Sequence, residues 1–291
     1  MSILESLLEA QKNAAQAAAL FRLPFQKRKW RGLAGAWQGK GSGSSIDFKD
    51  HRSYLPGDDP RHINWQAYAR TGHVSMKVYR EEVRPHLDVI LDASPSMWNG
   101  ERKKQRSLEL LYFCMENGWK NGSSLRWYIM TSTRWQRGDP RELRSGSWMP
   151  PSWEKQTAQM PRWPGVPLVQ GGLRVLISDL LFPGSPDTLL NPLCRGAGLS
   201  VILSPFSQQE SAPDWNGNLE FVDCENGFSR KQRVVAELLS RYEMSYRRHF
   251  QLWQRACLQT GCLRAAVRAE PGLPEAFREQ ALGLGAVEMG H

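Results

Sequence analysis

The sequence has few cysteines and no long apolar run. The cysteines (Cys114, Cys194, Cys224, Cys257 and Cys262) are odd in number and form no Cys-x-x-Cys pair, so neither a disulfide framework nor a zinc site is indicated. No apolar stretch approaches the ~20 residues that cross a bilayer, and the N-terminus lacks the zones of a signal peptide. We therefore expect a cytoplasmic protein whose cysteines are buried thiols.

Sequence patterns of common enzyme classes are also missing. There is no Gly-x-Ser-x-Gly elbow and no glycine-rich phosphate loop. His51, His62 and His73 are spaced neither like the metal ligands of a helix nor like part of a catalytic triad, so we interpret them as structural. These absences argue against the best-known hydrolases and nucleotide-binding enzymes.

Basic residues outnumber acidic ones. The 291 residues contain 38 Lys and Arg against 29 Asp and Glu, a formal net charge of +9. This charge attracts acidic proteins, phospholipid headgroups and nucleic acid alike, and no nucleic-acid-binding module accompanies it. We interpret the basic clusters as solvated faces of the protein: Lys27-Arg28-Lys29-x-Arg31, Arg102-Lys103-Lys104 and Arg247-Arg248.

The N-terminal residues 1–29 are predicted to hold an amphipathic helix, at 2–21, and a basic linker. The helix carries a stripe of mainly alanine, and its default place is against the body of the protein; a partner helix or a membrane surface is the alternative. Residues 30–45 are rich in Gly and Ser, which favours an irregular wrap over a helix.

Residues 47–70 are crowded with opposite charges. Pro56-Gly57 is typical of a type II turn, and Asp59-Pro60 of the start of a helix, here predicted at about 60–70. Ion pairs among the charges would fasten an irregular segment to the domain, while a direct role in binding a partner or nucleotide is the alternative. The alternation from Val74 to Val78 predicts a half-exposed strand.

From residue 86 onward, strands and helices alternate. Alternation of this kind implies a mostly parallel sheet with helices on both faces, an α/β fold. The predicted strands are 86–92, 125–130, 173–181, 199–204, 219–223 and 262–267, with a short edge hairpin expected between 131 and 172; the predicted helices are 101–119, 186–195, a long one opening at Ser229 and Gln232, and 275–284.

Polar side chains follow two of these strands. The strand at 86–92 ends in the pattern Asp92-x-Ser94-x-Ser96, and the strand at 173–181 carries Asp179 near its end. The carboxyl ends of parallel strands meet at one edge of a sheet, so these oxygens could converge on one Mg²⁺ or Mn²⁺. An ordinary helix N-cap formed by Ser94 or Ser96 is the competing interpretation.

Two motifs carry a resemblance to known families. Asp92-x-Ser94-x-Ser96 with Asp179 resembles the metal-ion-dependent adhesion site of von Willebrand factor A-type domains. The spacing of residues 52–70 resembles the domain-of-unknown-function family number fifty-eight, and the likeness extends to Asp223-x-Glu225 and Tyr246. The signature residues of that segment are Arg52, Tyr54, Gly57, Asp58, Arg61, Trp65 and Arg70.

The resemblance implies a von Willebrand A-like Rossmannoid domain over 81–291, with 30–80 as a signature segment packed on it. It also implies a non-enzymatic adaptor that works with a MoxR-type AAA ATPase on an unknown client protein. Ser94 and Ser96 would bind the cation directly, and Asp92 and Asp179 directly or through water. The expected Thr ligand has no clear counterpart, Thr157 being the best placed.

Two other functions stay open at this point. A Mg²⁺-dependent phosphoester hydrolase would use Asp92 as nucleophile, although no second Asp follows two residues later. A nucleic-acid-binding protein would use the basic surface. A membrane role would be peripheral, since the sequence predicts no membrane span.

Overall fold

The computed structural model describes residues 3–25, 47–55, 59–80, 85–131, 133–145, 148, 163, 165–225 and 227–290. The chain divides into two compact units, Lys29–Arg84 and the remainder, which joins Met1–Arg28 to Pro85–His291. The predicted wrap at 30–45 and the Pro56-Gly57 turn lie outside the described residues. How the signature segment packs on the larger unit stays a prediction.

Strands of the described residues form a six-stranded sheet and three two-stranded pairs. Their bounds in chain order are β1 (Phe21–Arg22), β2 (Asp47–Ser53), β3 (Ser75–Arg80), β4 (His86–Asp92), β5 (Ser124–Met130), β6 (Trp135–Gly138), β7 (Leu173–Ile177), β8 (Leu199–Phe206), β9 (Gly217–Val222), β10 (Ser229–Val234), β11 (Leu263–Arg268) and β12 (Glu288–Met289).

Of the described α-helices, the second belongs to the smaller unit and the others belong to the larger one. Their bounds are α1 (Ile3–Leu20), α2 (Trp65–Thr71), α3 (Glu101–Lys120), α4 (Pro140–Ser145), α5 (Asp187–Cys194), α6 (Gln208–Ser211), α7 (Ala236–Thr260) and α8 (Leu273–Ala276). Within the described ranges, none of them combines the length and the apolar character that a membrane crossing requires.

The large sheet has the strand order β11-β8-β7-β4-β5-β6. All neighbours pair in parallel except β6, which runs antiparallel to β5 at the edge. The predicted mostly parallel α/β sheet is confirmed. Of the short edge hairpin predicted within 131–172, the described residues contribute one edge strand, β6, which pairs with β5 instead. Because Leu91 of β4 lies opposite Ile177 of β7, the residues that follow these two central strands emerge side by side.

The N-terminal helix packs on the larger unit, as its alanine stripe predicts. Leu7, Ala10 and Ala14 are fully or almost fully buried. The small alanine side chains let α1 approach α3 closely, and the Asn13 side-chain amide donates a 2.7 Å hydrogen bond to Glu109 of that helix. Strand β1, which follows α1, pairs with β12, so the first and the last described strands of the larger unit lie side by side.

One prediction near the C-terminal end is wrong, and another is confirmed with shifted bounds and irregular geometry. Residues 229–234, predicted to open the longest helix, form β10, which pairs with β9 in a separate hairpin across the turn at Gly227. The spacing of Ser229 and Gln232 imitates a capping box, but the Asn-Gly turn signal prevails and α7 starts only at Ala236. The predicted helix 275–284 is the short α8 followed by a π turn at Phe277–Ala281.

The smaller unit contains a hairpin that the charged sequence did not predict. Strand β2 pairs antiparallel with β3, the predicted strand. The helix predicted at 60–70 is broken: a 3-10 turn at Pro60–His62 is capped by Asp59, and extended Ile63 separates it from α2. Asn64 starts α2 by accepting a hydrogen bond from the Ala67 N–H, so two caps divide one predicted helix.

Candidate functional site

Asp92 is the last residue of β4 and is completely buried. Its Oδ1 accepts the Ser94 N–H at 2.9 Å, and its Oδ2 accepts the Ser178 hydroxyl at 2.6 Å. The hydroxyls of Ser94 and Ser96 lie 3.1 Å apart. The Ser94 side chain caps no helix, and α3 begins after Gly100, so the N-cap interpretation of these serines is wrong.

Asp179 reaches the same place from the neighbouring strand. Its Oδ1 accepts the Leu181 N–H at 3.0 Å, and Leu180 between them has a left-handed backbone with a φ of 60°. A branched residue in this region costs roughly 1–3 kcal/mol and persists where surrounding contacts enforce it. Here the Ser178 hydroxyl accepts the Leu180 N–H, so the same serine fixes both the turn and Asp92.

Lys103 brings a positive charge into the site. Its Nζ donates to Asp179 Oδ2 at 2.7 Å and to Glu210 Oε1 at 2.5 Å, and its side chain is only 1% exposed. Burial lowers the pKa of Lys103, but the charges of Asp179 and Glu210 outweigh it, and the pKa lies above its ordinary value. The amine is therefore an ammonium ion at neutral pH.

The prediction that the cluster at 102–104 forms a solvated face is wrong for Lys103. It lies one turn before Ser107, whose hydroxyl donates to the Lys103 carbonyl, and this stripe of α3 faces the sheet. Lys103 lies at helical spacing from the buried positions Ser107, Leu110 and Leu111, and this spacing is the sequence signal that could have predicted its burial.

Glu225 contributes a fourth carboxylate, from the turn between β9 and β10. Its Oε1 accepts the Ser96 N–H at 3.0 Å, and burial raises its pKa above the ordinary value of a glutamic acid. The sequence associated Glu225 with the family resemblance but not with the site. We call the whole cluster the strand-end site; it comprises Asp92, Ser94, Ser96, Lys103, Asp179, Glu210 and Glu225.

Asp92 is close to changing its protonation state at neutral pH. Burial, followed by the charge of Asp179, raises the pKa of Asp92 to about 7, against the hydrogen bonds from Ser178 and Ser94 that lower it. Ionised Asp92 is therefore costly in this site, because the one ammonium group bonds to Asp179 and Glu210.

The polar groups of the strand-end site differ from the Mg²⁺ or Mn²⁺ site that the resemblance implies. Both oxygens of Asp179 are engaged, and Lys103 Nζ sits where a cation bound to Oδ2 would lie. Among the described residues, no group of three or more His, Cys, Asp or Glu is arranged to hold a metal ion. Thr157 lies outside the described residues. With Lys103 in place, the site does not fit a divalent cation.

The predicted signature residues fall in the smaller unit. The Arg61 guanidinium bonds to Asp59 at 2.7 Å on the surface, an ion pair within the segment itself; that such pairs fasten the segment to the domain stays a prediction. Trp65 is largely exposed and meets Tyr68 edge to face. Of the others, Arg52 lies in β2 opposite Met76, Tyr54 bonds through its N–H to Val74, Arg70 lies in the last turn of α2, and Gly57 and Asp58 lie outside the described residues.

Residues 50–115 match the family model described as protein of unknown function DUF58. The predicted resemblance to this family is confirmed over these residues; its extension to Asp223, Glu225 and Tyr246 stays a prediction. No curated protein matches the chain. The crystal structure of the conserved hypothetical protein BatB from Bacteroides thetaiotaomicron is similar at 9% identity over 69% of this chain and 98% of its own, with a TM-score of 0.33. A TM-score this low supports no conclusion about function.

Some residues of the strand-end site lie inside the segment that matches the DUF58 model, residues 50–115, and others lie outside it. Asp92, both serines and Lys103 lie inside it, and the carboxylates bonded to Lys103 and the serine loop come from beyond it. The DUF58 segment therefore supplies the ammonium group and the serine loop, and the rest of the sheet and the β9–β10 hairpin supply the acids.

Proposed function

We propose that this chain is a non-enzymatic interaction protein with a von Willebrand A-like domain, which binds a carboxylate of its partner at the strand-end site. Its partner, by the resemblance, is a MoxR-type AAA ATPase, beside which it acts as adaptor in assembling or activating other complexes. In this proposal Lys103 provides the positive charge that a divalent cation provides in an adhesion site.

The proposal rests on a difference in solvent exposure between Asp179 and Glu210, the two carboxylates that bond to Lys103. The Asp179 side chain is 1% exposed and the Glu210 side chain 23%. Lys103 and Glu210 also line a cavity of about 670 Å³ that opens beside α6. Asp179 is thus the permanent counter-ion, and Glu210 is the one that an incoming group can reach.

Exchange of one carboxylate for another keeps the charge balance of the site. A partner's Asp or Glu that replaces Glu210 on Lys103 forms the same kind of charged hydrogen bond, and Glu210 moves into water. Before this exchange, Oε2 of Glu210 accepts the Ser207 N–H at 2.8 Å, and this hydrogen bond holds the Glu210 side chain against the start of α6. Because no buried charge is left without a partner, the exchange avoids the main cost of opening a buried ion pair.

The environment of Asp92 supports a binding role over hydrolysis. A nucleophilic carboxylate needs an oxygen directed at its substrate, whereas both oxygens of Asp92 accept hydrogen bonds inside the protein. The Asp92 side chain is also inaccessible to solvent. Its position suits a support of the serine loop better than an attacking group.

Binding to the ATPase tests the proposal. The chain and a MoxR-type ATPase of the same organism are mixed without nucleotide, with Mg²⁺ or with a chelator, so that the chelator acts on the docking site alone. We expect equal affinity in both buffers, about tenfold tighter binding by Glu210→Gln, whose neutral side chain competes less for Lys103, and loss of binding by Lys103→Met. The matched control Lys104→Met keeps its affinity.

Two results would count against this function. Binding that needs Mg²⁺ and survives Lys103→Met would replace it with the adhesion-type metal site that the sequence predicts. Absence of binding in either buffer, with both proteins folded, would reject the adaptor role.

A further inference from the structure

A second cavity lies behind the strand-end site, between α7 and the sheet. It has a volume of about 470 Å³, within the range of small-molecule sites. Strand residues Ser204 and Arg264 form its floor, and Tyr246 and Phe250 of α7 stand opposite. None of the docking steps above uses these side chains.

Arg264 is a buried cation without a counter-ion. It is 9% exposed, and its guanidinium carbon lies 4.6 Å from the centre of the Phe250 ring. No described residue forms an ion pair or hydrogen bond with it, and its Nε is buried without a partner. Buried charges in proteins are normally paired, because removing them from water is expensive. An unpaired guanidinium that lines a cavity therefore indicates an anion that arrives from outside.

Ser204 adds a second unsatisfied group to the same floor. Ser204 is 2% exposed, and its Oγ has no hydrogen-bond partner in the described part of the chain. Strands β8 and β11 pair with Ser204 opposite Ala266, two residues beyond Arg264, so hydroxyl and guanidinium project from adjacent strands. Together they offer the donors that one carboxylate accepts.

The remaining walls restrict the anion further. Pro205, Phe206 and Ala266 give the cavity an apolar side beside the rings of α7. Its other side is polar and includes a second arginine, Arg247, which is paired with Glu243; the polar residues are Ser211, Arg247, Gln251, Gln254 and Gln280. Asp179 also lines the cavity. Lys103 pairs with the Asp179 carboxylate, but that carboxylate still disfavours a second negative charge on the ligand. The cavity thus suits one negative charge on an apolar body.

We propose that this cavity binds a small organic monoanion, a carboxylate attached to an aromatic or aliphatic group, with Arg264 and Ser204 holding the carboxylate. The apolar body lies against Phe206 and Phe250. This site is separate from the docking of a partner at Lys103 and does not depend on it.

Titration calorimetry of the full chain with 4-phenylbutanoate and its neutral amide tests the proposal. We expect saturable binding of the carboxylate and at least tenfold weaker binding of the amide, which has the same apolar body. Arg264→Met is expected to lose at least tenfold in affinity for the carboxylate, and Ser204→Ala about threefold. Arg255→Met replaces an exposed arginine of α7 that is not part of the lining of this cavity; it is the matched control and should bind like the wild type.

The comparison of acid and amide on the wild type decides the question even if a variant fails to fold. Equal affinity for the two probes, or no saturable binding of the carboxylate, would overturn the proposal. Inorganic phosphate serves as a third probe: phosphate that binds more tightly than the carboxylate would overturn the assignment of an apolar monoanion.

Discussion

Lys103 of α3 and Arg264, the second residue of β11, are both buried cations, yet their surroundings differ. Lys103 has two carboxylates within hydrogen-bonding distance, and Arg264 has no anion among the described residues. The first arrangement is complete within the chain and therefore contributes to folding. The second is incomplete, which is the condition expected of a group that binds a ligand. Lys103 can therefore bind a partner only by exchanging Glu210 for another carboxylate, whereas Arg264 has no carboxylate in the described part of the chain to exchange.

The largest expected effect is the loss of the Lys103 ammonium. Lys103→Met keeps an unbranched side chain one atom shorter than lysine but leaves Asp179 and Glu210 without their cation, and removing one partner of a buried ion pair costs about 3–5 kcal/mol. We expect the free energy of unfolding in urea at neutral pH to fall by about that amount.

Lys104→Met is the matched control for this change. Lys104 is partly exposed and pairs at 3.7 Å with the exposed Glu101, a contact of little value in water. If both variants lost the same stability, the ammonium of Lys103 would not be the structural charge described here.

A neutral residue at position 92 should stabilise the protein in a pH-dependent way. Because the folded state raises the pKa of Asp92 from 3.8 to about 7, it holds the proton more tightly than the unfolded chain, and stability falls as pH rises between these values. Asp92→Asn removes the charge; its amide oxygen can still accept the Ser94 N–H, and its amide nitrogen can donate to the Ser178 hydroxyl oxygen, which reverses that hydrogen bond. We expect no difference below pH ~4 and a gain that approaches about 4 kcal/mol above pH ~7, measured by urea denaturation across that range. A gain that does not vary with pH would contradict the assigned pKa.

The smallest effect is expected at Arg264. Arg264→Met removes a cation–π contact worth about 1 kcal/mol but also an unpaired buried charge, so the free energy of unfolding should change by less than about 1 kcal/mol.

Arg174→Met is the comparison for that variant. The buried Arg174 donates to the carbonyls of Val169, Leu193 and Arg195, which its loss leaves unsatisfied, at a cost of about 3 kcal/mol. A large loss of stability in Arg264→Met would show that Arg264, too, has a structural role.

The sequence predicted what local pattern determines. The apolar run after Pro85 that ends at Asp92 gives β4 its observed bounds, and α3 follows from its helical stripe. The contacts of the strand-end site could not be predicted in this way, since Asp179, Glu210 and Glu225 are 76, 107 and 129 residues from their partners in it. Charged residues in particular mislead, because a buried lysine and a solvated one look alike until the partners are known.

Titration of the wild-type chain with Mg²⁺ and Mn²⁺ in a calorimeter, with acetate present as a free carboxylate, tests the role of Lys103 most directly. If Lys103 is the cation of the strand-end site, neither metal should bind saturably, even at millimolar concentration. Saturable binding of either metal, lost in Asp92→Ala and in Ser94→Ala/Ser96→Ala, would contradict this account and establish a metal-dependent adhesion site in its place.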